Sequence, residues 1–251
     1  IDLHGKQGDD GSVQGLLELL NLPYLGSGVL ASSLAMDKSR AKKIFADEGL
    51  PIARSKTFST RDPIQTIYQE IVDSFHYPFV IKPNQEGSTL GLTFVHEENE
   101  IDEAIHLAFA HDDQLIVEDF IEGRELTVSI FGNQGEEKAL PIIEIIPKNK
   151  YYDYEAKYSE GGSEHIVPAN LDESLTEKVQ ELAVRAHQAL ACESYSRVDF
   201  ILNKDNQPII LEVNTLPGMT PTSLYPDAAS AIGLTYEEMM EKLINLATNN
   251  Q

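Results

Sequence analysis

The stretch of sequence that decides the fold reads RVDFIL at residues 197–202 and IILEVN at residues 209–214. Both segments are rich in aliphatic residues and place polar residues at alternate positions, which is typical of half-buried β-strands. The polar residues 204–207 between them are typical of a turn, so the two strands are predicted to form a hairpin. Strand-like and helix-like stretches alternate along the rest of the chain, and this pattern indicates an α/β or α+β fold.

The predicted hairpin places charged side chains opposite one another. Its register pairs Asp199 with Glu212 and Arg197 with Asn214, and all four side chains then lie on one face of the sheet. Two carboxylates about 5 Å apart are unfavourable unless a cation lies between them, and carboxylate and amide oxygens suit Mg²⁺. The alternative is a solvated acidic face that Arg197 neutralises, and Pro208 could shift the register.

The composition excludes several classes of function. The chain has 251 residues, with 19 Lys and Arg against 41 Asp and Glu, and its net charge of −22 repels nucleic-acid phosphates and anionic lipid. A hydrophobic content of 41% with 24% charged residues is typical of a globular protein of one large domain or two to three small ones. The single Cys192 excludes an internal disulfide and a cysteine zinc cluster.

Apolar residues at helical spacing predict a series of helices. Ser12 and Asp37 are the predicted N-caps of the first two. The sequence favours residues 26–37 and 119–123 as the segments that separate domains. Further helices are predicted at 64–75, 101–109, 175–190 and 236–247, and further strands at 79–82, 115–118 and 125–131.

Two glycine-rich segments could bind an anion. Residues 86–91 follow Lys82 and let backbone N–H groups approach an anion, although an ordinary hairpin turn explains such a segment more often. Residues 4–11 form a tight turn before a helix, and a helix N-terminus favours a carboxylate or a phosphate. Asp9 and Asp10 could instead cap that helix.

Two further segments combine aromatic or apolar residues with charges. Four tyrosines and Lys157 lie within residues 151–158, and residues 159–170 lack a clear period, which predicts a loop that acts as a lid. A protein-contact patch is the alternative interpretation of the tyrosines. Residues 117–125 could hold an adenine and a ribose, or form a polar connector.

Taken in order, these segments resemble the D-alanine–D-alanine ligases of the ATP-grasp superfamily over essentially the whole chain. Any one motif could occur by chance, whereas six in the same order are specific. The motifs are His4 to Gly11, Met36-Asp37-Lys38, Lys82-Pro83 with Glu86-Gly87-Ser88-Thr89, Tyr152 to Tyr158, Arg197-Val198-Asp199, and Glu212 to Thr220.

The resemblance implies a mixed α+β and α/β architecture. In the ATP-grasp fold two α+β domains clasp ATP, and here a partial N-terminal α/β domain precedes them. The implied division is 1–35 for the remainder of the N-terminal domain, 36–118 for the central subdomain and 119–251 for the C-terminal subdomain, with a lid loop at about 148–170.

The resemblance also implies the reaction. ATP phosphorylates one D-alanine, the amine of a second D-alanine attacks the D-alanyl phosphate, and the dipeptide serves peptidoglycan synthesis, with ADP and phosphate released. The implied protein is a cytoplasmic homodimer that uses two Mg²⁺ ions, or Mn²⁺, and has no nucleic-acid or membrane partner. The alternatives are another ATP-grasp carboxylate–amine ligase, and a truncated Mg-ATP-binding fragment without turnover.

Matching positions imply the site residues. The resemblance implies that Arg197 and the backbone N–H near Gly218 form the oxyanion site. It also implies that Tyr158 favours an amine acceptor over D-lactate. ATP-binding positions are Lys38, Lys82, Ser88, Thr89, Glu118, Phe120, Ile121, Glu125, Tyr151 and Lys157, and metal positions are Asp199, Glu212 and Asn214. Substrate positions are His4, Tyr158, Arg197, Gly218, Ser223 and Leu224, and catalytic positions are Arg197, Ser88, Tyr158, Lys157, Gly218 and His4.

Three departures from the family pattern stand out. Thr89 replaces a second Ser and keeps its hydroxyl, and Ser194 stands where Gly or Ala is common. The third is that no segment matches the family's N-terminal strand, whose Glu holds the ammonium of the first D-alanine. The sequence is therefore expected to be incomplete or to lack a catalytic part.

Overall fold

Two antiparallel sheets form the framework of the molecule. The computed structural model describes residue 5 and residues 7–87, 90–147, 163–220 and 222–248. The helices are α1 Ser12–Leu19, α2 Val29–Met36, α3 Lys38–Asp47, α4 Ile64–Ser74, α5 Ile101–Phe109, α6 Glu173–Ala189, α7 Leu224–Ser230 and α8 Tyr236–Thr248. The strands are β1 Ser55–Ser59, β2 Phe79–Pro83, β3 Thr93–Val95, β4 Gln114–Asp119, β5 Gly123–Phe131, β6 Lys138–Ala139, β7 Ile143–Pro147, β8 Ser163–Ile166, β9 Tyr195–Asn203 and β10 Pro208–Asn214.

The smaller sheet has the strand order β1-β4-β2-β3, with every pair antiparallel. Helices α4 and α5 join it in one core because their apolar stripes bury Ile71 and Ile105 together with Phe79. Both helices confirm the predictions at 64–75 and 101–109 to within a residue.

The larger sheet has the strand order β10-β9-β5-β7-β8, and β6 pairs with β5. Helices α2, α3 and α6 share a core with β5 and β9, which includes Leu126 and Phe200. A separate core joins α7 and α8 to β7, and in it the hydroxyl of the buried Tyr225 donates to the carbonyl oxygen of Ile130 at 2.9 Å. Both faces of this sheet are therefore covered, and the whole confirms the predicted mixture of helices with antiparallel sheets.

The register of the β9–β10 hairpin confirms the two predicted pairs, but the pairing near the turn differs from the prediction. Asp199 lies opposite Glu212, and Arg197 opposite Asn214. Nearer the turn Pro208 pairs with Leu202, one residue away from the predicted register, and a β-bulge between residues 210 and 212 removes the difference. A bulge adds one residue to one strand, so it restores the alternation of faces that the turn alone would have reversed.

The segment 26–37, predicted to separate domains, contains a helix that the sequence did not predict, because residues 29–36 form helix α2. Whether it separates domains stays a prediction. The small residues Ala31 and Ala35 are buried in the core of the larger sheet, which allows the helix to lie close to its neighbours. The glycines lie before the helix, with Gly28 as its N-cap, and tertiary packing stabilises the helix that follows them.

The predicted cap of α1 is also wrong. The N-cap is Gly11 with φ +97°, and a Cβ there would lie 2.6 Å from the Ser33 Oγ, so the position requires glycine. Asp10 supports the turn, since its carboxylate accepts the backbone N–H groups of Gln7 and Ser12 at 2.8 and 2.9 Å. Burial raises the pKa of Asp10, but these hydrogen bonds outweigh it and leave the pKa below its ordinary value. The alternative interpretation, in which an aspartate caps the helix, is therefore close to the structure.

The loop predicted at 159–170 contains strand β8, which pairs with β7. The strand carries Ser163 and His165, whose imidazole bridges the Ser163 hydroxyl at 3.2 Å and the Asp227 carboxylate of α7 at 2.9 Å. The segment is too short and polar to show a strand period in the sequence. Residues 148–162 lie outside the described residues, so the lid itself stays a prediction.

Residues 120–122 connect the two sheets, because β4 ends in the smaller sheet and β5 begins in the larger one. We name them the hinge segment. The predicted boundary at 119–123 coincides with this connection, while the domain limits at 35 and 118 stay predictions. No helix among the described residues is long and apolar enough to cross a membrane.

We predict that Gly123→Ala unfolds the start of β5. A Cβ at this position would lie 2.1 Å from the carbonyl oxygen of Leu202 in β9, which neither strand can relieve without moving its backbone. The expected loss is about 3 kcal/mol in the free energy of unfolding, measured in urea. Gly15→Ala in α1 is the control, since its added methyl meets only Val29 at 3.6 Å and Ala favours a helix. An equal loss in both variants would contradict the prediction.

Candidate active site

A cavity of about 610 Å³ lies between the two sheets, beside the hinge segment. One wall comes from β2 and β3 of the smaller sheet and the other from β5, β7 and β10 of the larger sheet. Seven residues that the resemblance assigns to ATP or metal line it: Lys38, Lys82, Glu118, Phe120, Ile121, Glu125 and Glu212.

The inner walls of the cavity are mostly apolar. Val80, Ile145 and Leu211 contribute side chains from both sheets, and Phe94 meets Phe120 edge to face, with ring centroids 5.8 Å apart. An apolar slot with acids along its edge suits a flat aromatic group that also carries polar atoms.

Buried charges form the floor of the cavity. Glu118 is 4% exposed and lies between two lysines, with its carboxylate oxygens 3.1 Å from the Lys82 Nζ and 3.3 Å from the Lys42 Nζ. Lys42 is itself 3% exposed. We call these three residues the Lys42–Glu118–Lys82 cluster. It brings together Glu118 and Lys82, which the sequence assigned to the site, and Lys42, which it did not.

Lys38 lies next to this cluster. Its ammonium donates to the carbonyl oxygen of Glu86 at 2.6 Å and lies 3.6 Å from the carboxylate of Glu212. Lys38 and Lys42 are four residues apart in α3, so they lie on the same face of that helix. Lys38 therefore joins the loop after β2 of the smaller sheet to β10 of the larger sheet.

The start of α3 is fixed by Asp37 and Asn84. Asp37 caps the helix as predicted, accepting the backbone N–H of Arg40 at 3.1 Å, and it also accepts the side-chain amide of Asn84 at 2.8 Å. The Asn84 side-chain oxygen in turn accepts the backbone N–H of Ser39 at 2.8 Å. Asn84 follows β2, so these bonds tie the helix that carries Lys38 to the strand that ends near Lys82.

The charges of the cavity floor influence one another. Burial lowers the pKa of Lys38 and of Lys42, while the nearby glutamates oppose that effect. Burial raises the pKa of Glu118, but the two lysines outweigh it and bring the pKa below its ordinary value. The lysines therefore hold Glu118 in its charged form, because two cations at 3.1–3.3 Å stabilise the carboxylate.

The predicted metal ligands lie at one end of the hairpin. Asp199 is held by two hydrogen bonds from Arg197, at 2.9 and 2.8 Å, and by the Thr127 hydroxyl at 2.6 Å. Arg197 thus neutralises Asp199, as the alternative interpretation of the hairpin proposed. Asn214 uses its side-chain oxygen to accept the backbone N–H of Leu216 at 3.0 Å. No group of three or more His, Cys, Asp or Glu residues that could hold a metal occurs among the described residues.

A third part of the predicted site follows β10. The Ser223 hydroxyl accepts the backbone N–H of Thr220 at 3.0 Å, and a Cβ on Gly218 would lie 2.9 Å from the same hydroxyl. Leu224 is only 9% exposed and its side chain belongs to the core, so its predicted contact with a substrate stays a prediction. Its backbone N–H, at the start of α7, is the group that remains available.

Six predicted site residues lie outside the described residues: His4, Ser88, Thr89, Tyr151, Lys157 and Tyr158. Five charged residues that the sequence did not assign also line the cavity: Glu86, Asp119, Glu122, Arg124 and Glu144. Arg124 and Glu144 join in two hydrogen bonds of 2.7 and 2.6 Å. The helical spacing of Lys38 and Lys42 could have pointed to Lys42, but no sequence pattern links residues 124 and 144.

Comparisons with known proteins agree on one family. A family model described as the D-ala D-ala ligase C-terminus matches residues 44–245. A curated D-alanine–D-alanine ligase from Halalkalibacterium halodurans is 54% identical over 250 residues, which cover 98% of this chain and 80% of that protein.

Two solved structures are similar as well. The D-alanine–D-alanine ligase from Bacillus anthracis complexed with ATP has a TM-score of 0.84 at 34% identity, covering 98% of this chain and 77% of that one. The VanG D-Ala:D-Ser ligase from Enterococcus faecalis has a TM-score of 0.88 at 38% identity, covering 98% of this chain and 71% of that one.

We predict that Glu118→Gln lowers the free energy of unfolding by about 3 kcal/mol at pH 7, because it leaves two lysines beside an uncharged group. Since the pKa of Glu118 is lowered in the folded protein, its contribution is full above the ordinary pKa of 4.5. It is lost as the pH falls through the lower value of the folded protein.

The difference between the two proteins, measured by urea unfolding, should therefore shrink in acid. The control is Glu70→Gln, which breaks a surface ion pair with Lys56 of 2.7 Å and should cost less than about 1 kcal/mol. A difference that does not change with pH would contradict the charge argument.

Proposed function

Because the chain belongs to the D-alanine–D-alanine ligase family, we propose that it joins two molecules of D-alanine into D-alanyl-D-alanine with cleavage of ATP to ADP and phosphate. The dipeptide is a precursor of peptidoglycan. The observation that carries this proposal is the cavity between the two sheets, where an apolar slot and two lysines, Lys38 and Lys82, lie side by side in a chain 54% identical to such a ligase.

We propose one orientation of ATP in this cavity. We propose that the adenine lies in the apolar slot beside Phe120 and Ile121, and that Glu125 meets the ribose hydroxyls. Lys38 and Lys82 then face the phosphates, because they line the same cavity and carry the positive charge that phosphate oxygens need. The similar structure from Bacillus anthracis is complexed with ATP, which supports ATP as the ligand.

We propose that Mg²⁺ accompanies the nucleotide, held by Asp199, Glu212 and Asn214. The donor set supports this, since it consists of carboxylate and amide oxygens on neighbouring strands. Asp199 would share its carboxylate with Arg197, which already holds both of its oxygens. When bound, the metal supplies positive charge to the phosphoryl group that is transferred.

The residues after β10 support the second half of the reaction. The carboxylate oxygen of one D-alanine attacks the γ-phosphorus of ATP, and ADP leaves. The amine of the second D-alanine then adds to the carbonyl carbon of the D-alanyl phosphate, loses a proton and displaces phosphate. We propose that Arg197 and the backbone N–H near Gly218 stabilise the oxyanion of that addition. Ser223 would orient the second D-alanine, and the roles of His4, Ser88, Lys157 and Tyr158 rest on their sequence motifs.

We further propose that the protein works as a homodimer in the cytoplasm. The family resemblance supports both, and a ligase that consumes ATP has its substrate there.

The function is tested by the release of phosphate from ATP. We expect release that depends on D-alanine and on added Mg²⁺, that stops with a chelator, and that yields D-alanyl-D-alanine by mass spectrometry. Phosphate release that does not depend on D-alanine would contradict the proposal. ATP binding without any release would favour the alternative of a nucleotide-binding fragment.

The acceptor is tested by a screen of D-alanine, D-serine and D-lactate as the second substrate. The similar VanG structure is a D-Ala:D-Ser ligase, so D-serine is the competitor to consider. We expect D-alanine to give the highest kcat/KM and D-lactate to give no product, because Tyr158 stands at the lid position that favours an amine. A preference for an acceptor outside these three would favour another carboxylate–amine ligase.

We predict that Arg197→Ala reduces dipeptide synthesis by at least about 100-fold while ATP binding weakens far less, because the oxyanion develops only in the transition state. Synthesis is followed by phosphate release and ATP binding by calorimetry. Arg185→Ala is the control, because Arg185 donates to the carbonyl oxygen of Glu48 at 2.8 Å and belongs neither to the cavity lining nor to the predicted site. An equal loss of synthesis and ATP binding in Arg197→Ala would count against the oxyanion role.

A further inference from the structure

Lys82 has two competing partners once a nucleotide is bound. In the structure its ammonium lies 3.1 Å from a carboxylate oxygen of Glu118. In the proposed complex the same ammonium faces the phosphates. One ammonium carries three donors but a single charge, so its attraction to Glu118 falls when it moves toward a phosphate.

Glu118 cannot be left without a cation. Its side chain is 5% exposed, and a carboxylate buried to that extent is costly unless it is paired. Without a second partner, every contact that Lys82 made with a phosphate would weaken the pairing of a buried charge. The affinity for the triphosphate would be lower by the same amount.

Lys42 supplies that second partner from behind the cavity. Its ammonium lies 3.3 Å from the other carboxylate oxygen of Glu118, and the side chain is 3% exposed. Lys42 does not line the cavity, unlike Lys38 and Lys82. Glu118 is the carboxylate that lies beside the Lys42 Nζ and compensates its charge.

Helix α3 holds Lys42 in place. The helix is fixed at its start by the Asp37–Asn84 bonds, and Lys42 follows Lys38 by one turn. Its backbone cannot follow a ligand without breaking those bonds. Lys42 is therefore a stationary cation, whereas Lys82 faces the space into which a ligand enters.

We propose that Lys42 is a positioning residue for nucleotide binding: it is the fixed counter-ion of Glu118 that releases Lys82 to the nucleotide phosphates. The inference rests on the proposed function, since it requires that ATP binds in this cavity. It assigns a role to a residue that contacts no substrate and acts through Glu118 and Lys82.

The test compares ATP with AMP, which lacks the β- and γ-phosphates. The dissociation constants of both are measured by calorimetry with Mg²⁺ for the unaltered chain, Lys42→Met, Lys42→Arg and Lys43→Met. In Lys42→Met we expect ATP binding to weaken at least on the order of tenfold while AMP binding changes little. Lys42→Arg, which keeps the charge, should recover most of the loss.

Lys43→Met is the matched control. Lys43 is the next residue of the same helix but is exposed, so the same substitution should leave both dissociation constants unchanged. If Lys42 only supports the fold, ATP and AMP binding would weaken by the same factor in Lys42→Met. That result would overturn the inference.

A second comparison covers the case in which Lys42→Met folds poorly. Without the Glu118 carboxylate, Lys42 has no counter-ion role to play. Removing Lys42 from the Glu118→Gln variant should therefore not change its ATP affinity, and the double variant Lys42→Met/Glu118→Gln should bind ATP as well as Glu118→Gln does. A further loss in the double variant would overturn the inference. Failure of the unaltered chain to bind ATP would overturn the proposed function as well, so the two failures are distinguishable.

Discussion

The structure depends on the pairing of buried lysines with buried glutamates between two sheets. A lysine that is only 3% exposed, as Lys42 is, is costly without a carboxylate partner, and Lys42 and the 12% exposed Lys82 both lie within 3.3 Å of Glu118. This requirement explains why the start of α3, the end of β2 and the end of β4 have to meet at one point. Asp37 and Asn84 fix the first two of these relative to each other, and the strand pairing of β2 with β4 fixes the third.

The hinge segment joins the smaller sheet to the larger sheet, and the cavity lies beside it. At its start Asp119 is held by Arg54, and at its end Glu122 is held by Lys204 at 2.6 Å, so each end is attached to its own sheet. Gly123 then lies so close to Leu202 that no side chain fits. Three residues therefore connect Asp119, which is paired with Arg54, to Gly123, which packs against Leu202, and Phe120 of this connection lines the cavity.

The sequence predicted those parts of the site that follow from short-range patterns. Alternation along β9 and β10 was enough to place Asp199 opposite Glu212, although the bulge that makes this pairing possible has no clear signal in the residues. Lys42 was missed because a buried lysine looks like any surface lysine until its burial is known. Helix α2 was missed because the glycines before it suggest a break, whereas the buried Ala31 and Ala35 stabilise it only through tertiary packing.

The charge of the cavity gives the proposed metal a physical basis. Of the described residues that line it, seven are acidic and three are basic, so the wall by itself would repel a nucleotide with four negative charges. Three of the acids, Glu118, Asp119 and Glu122, are compensated from outside the cavity by Lys42, Arg54 and Lys204. Glu144 is paired with Arg124 within the lining.

Glu212 faces Lys38 at 3.6 Å, a distance at which a divalent cation competes effectively for the carboxylate, because it carries twice the charge and approaches oxygen more closely. The strongly acidic composition therefore does not oppose nucleotide binding. The cations outside the cavity compensate three of its acids, so that Lys38 and Lys82 can attract the phosphates. The remaining acids favour a nucleotide that carries its metal ion.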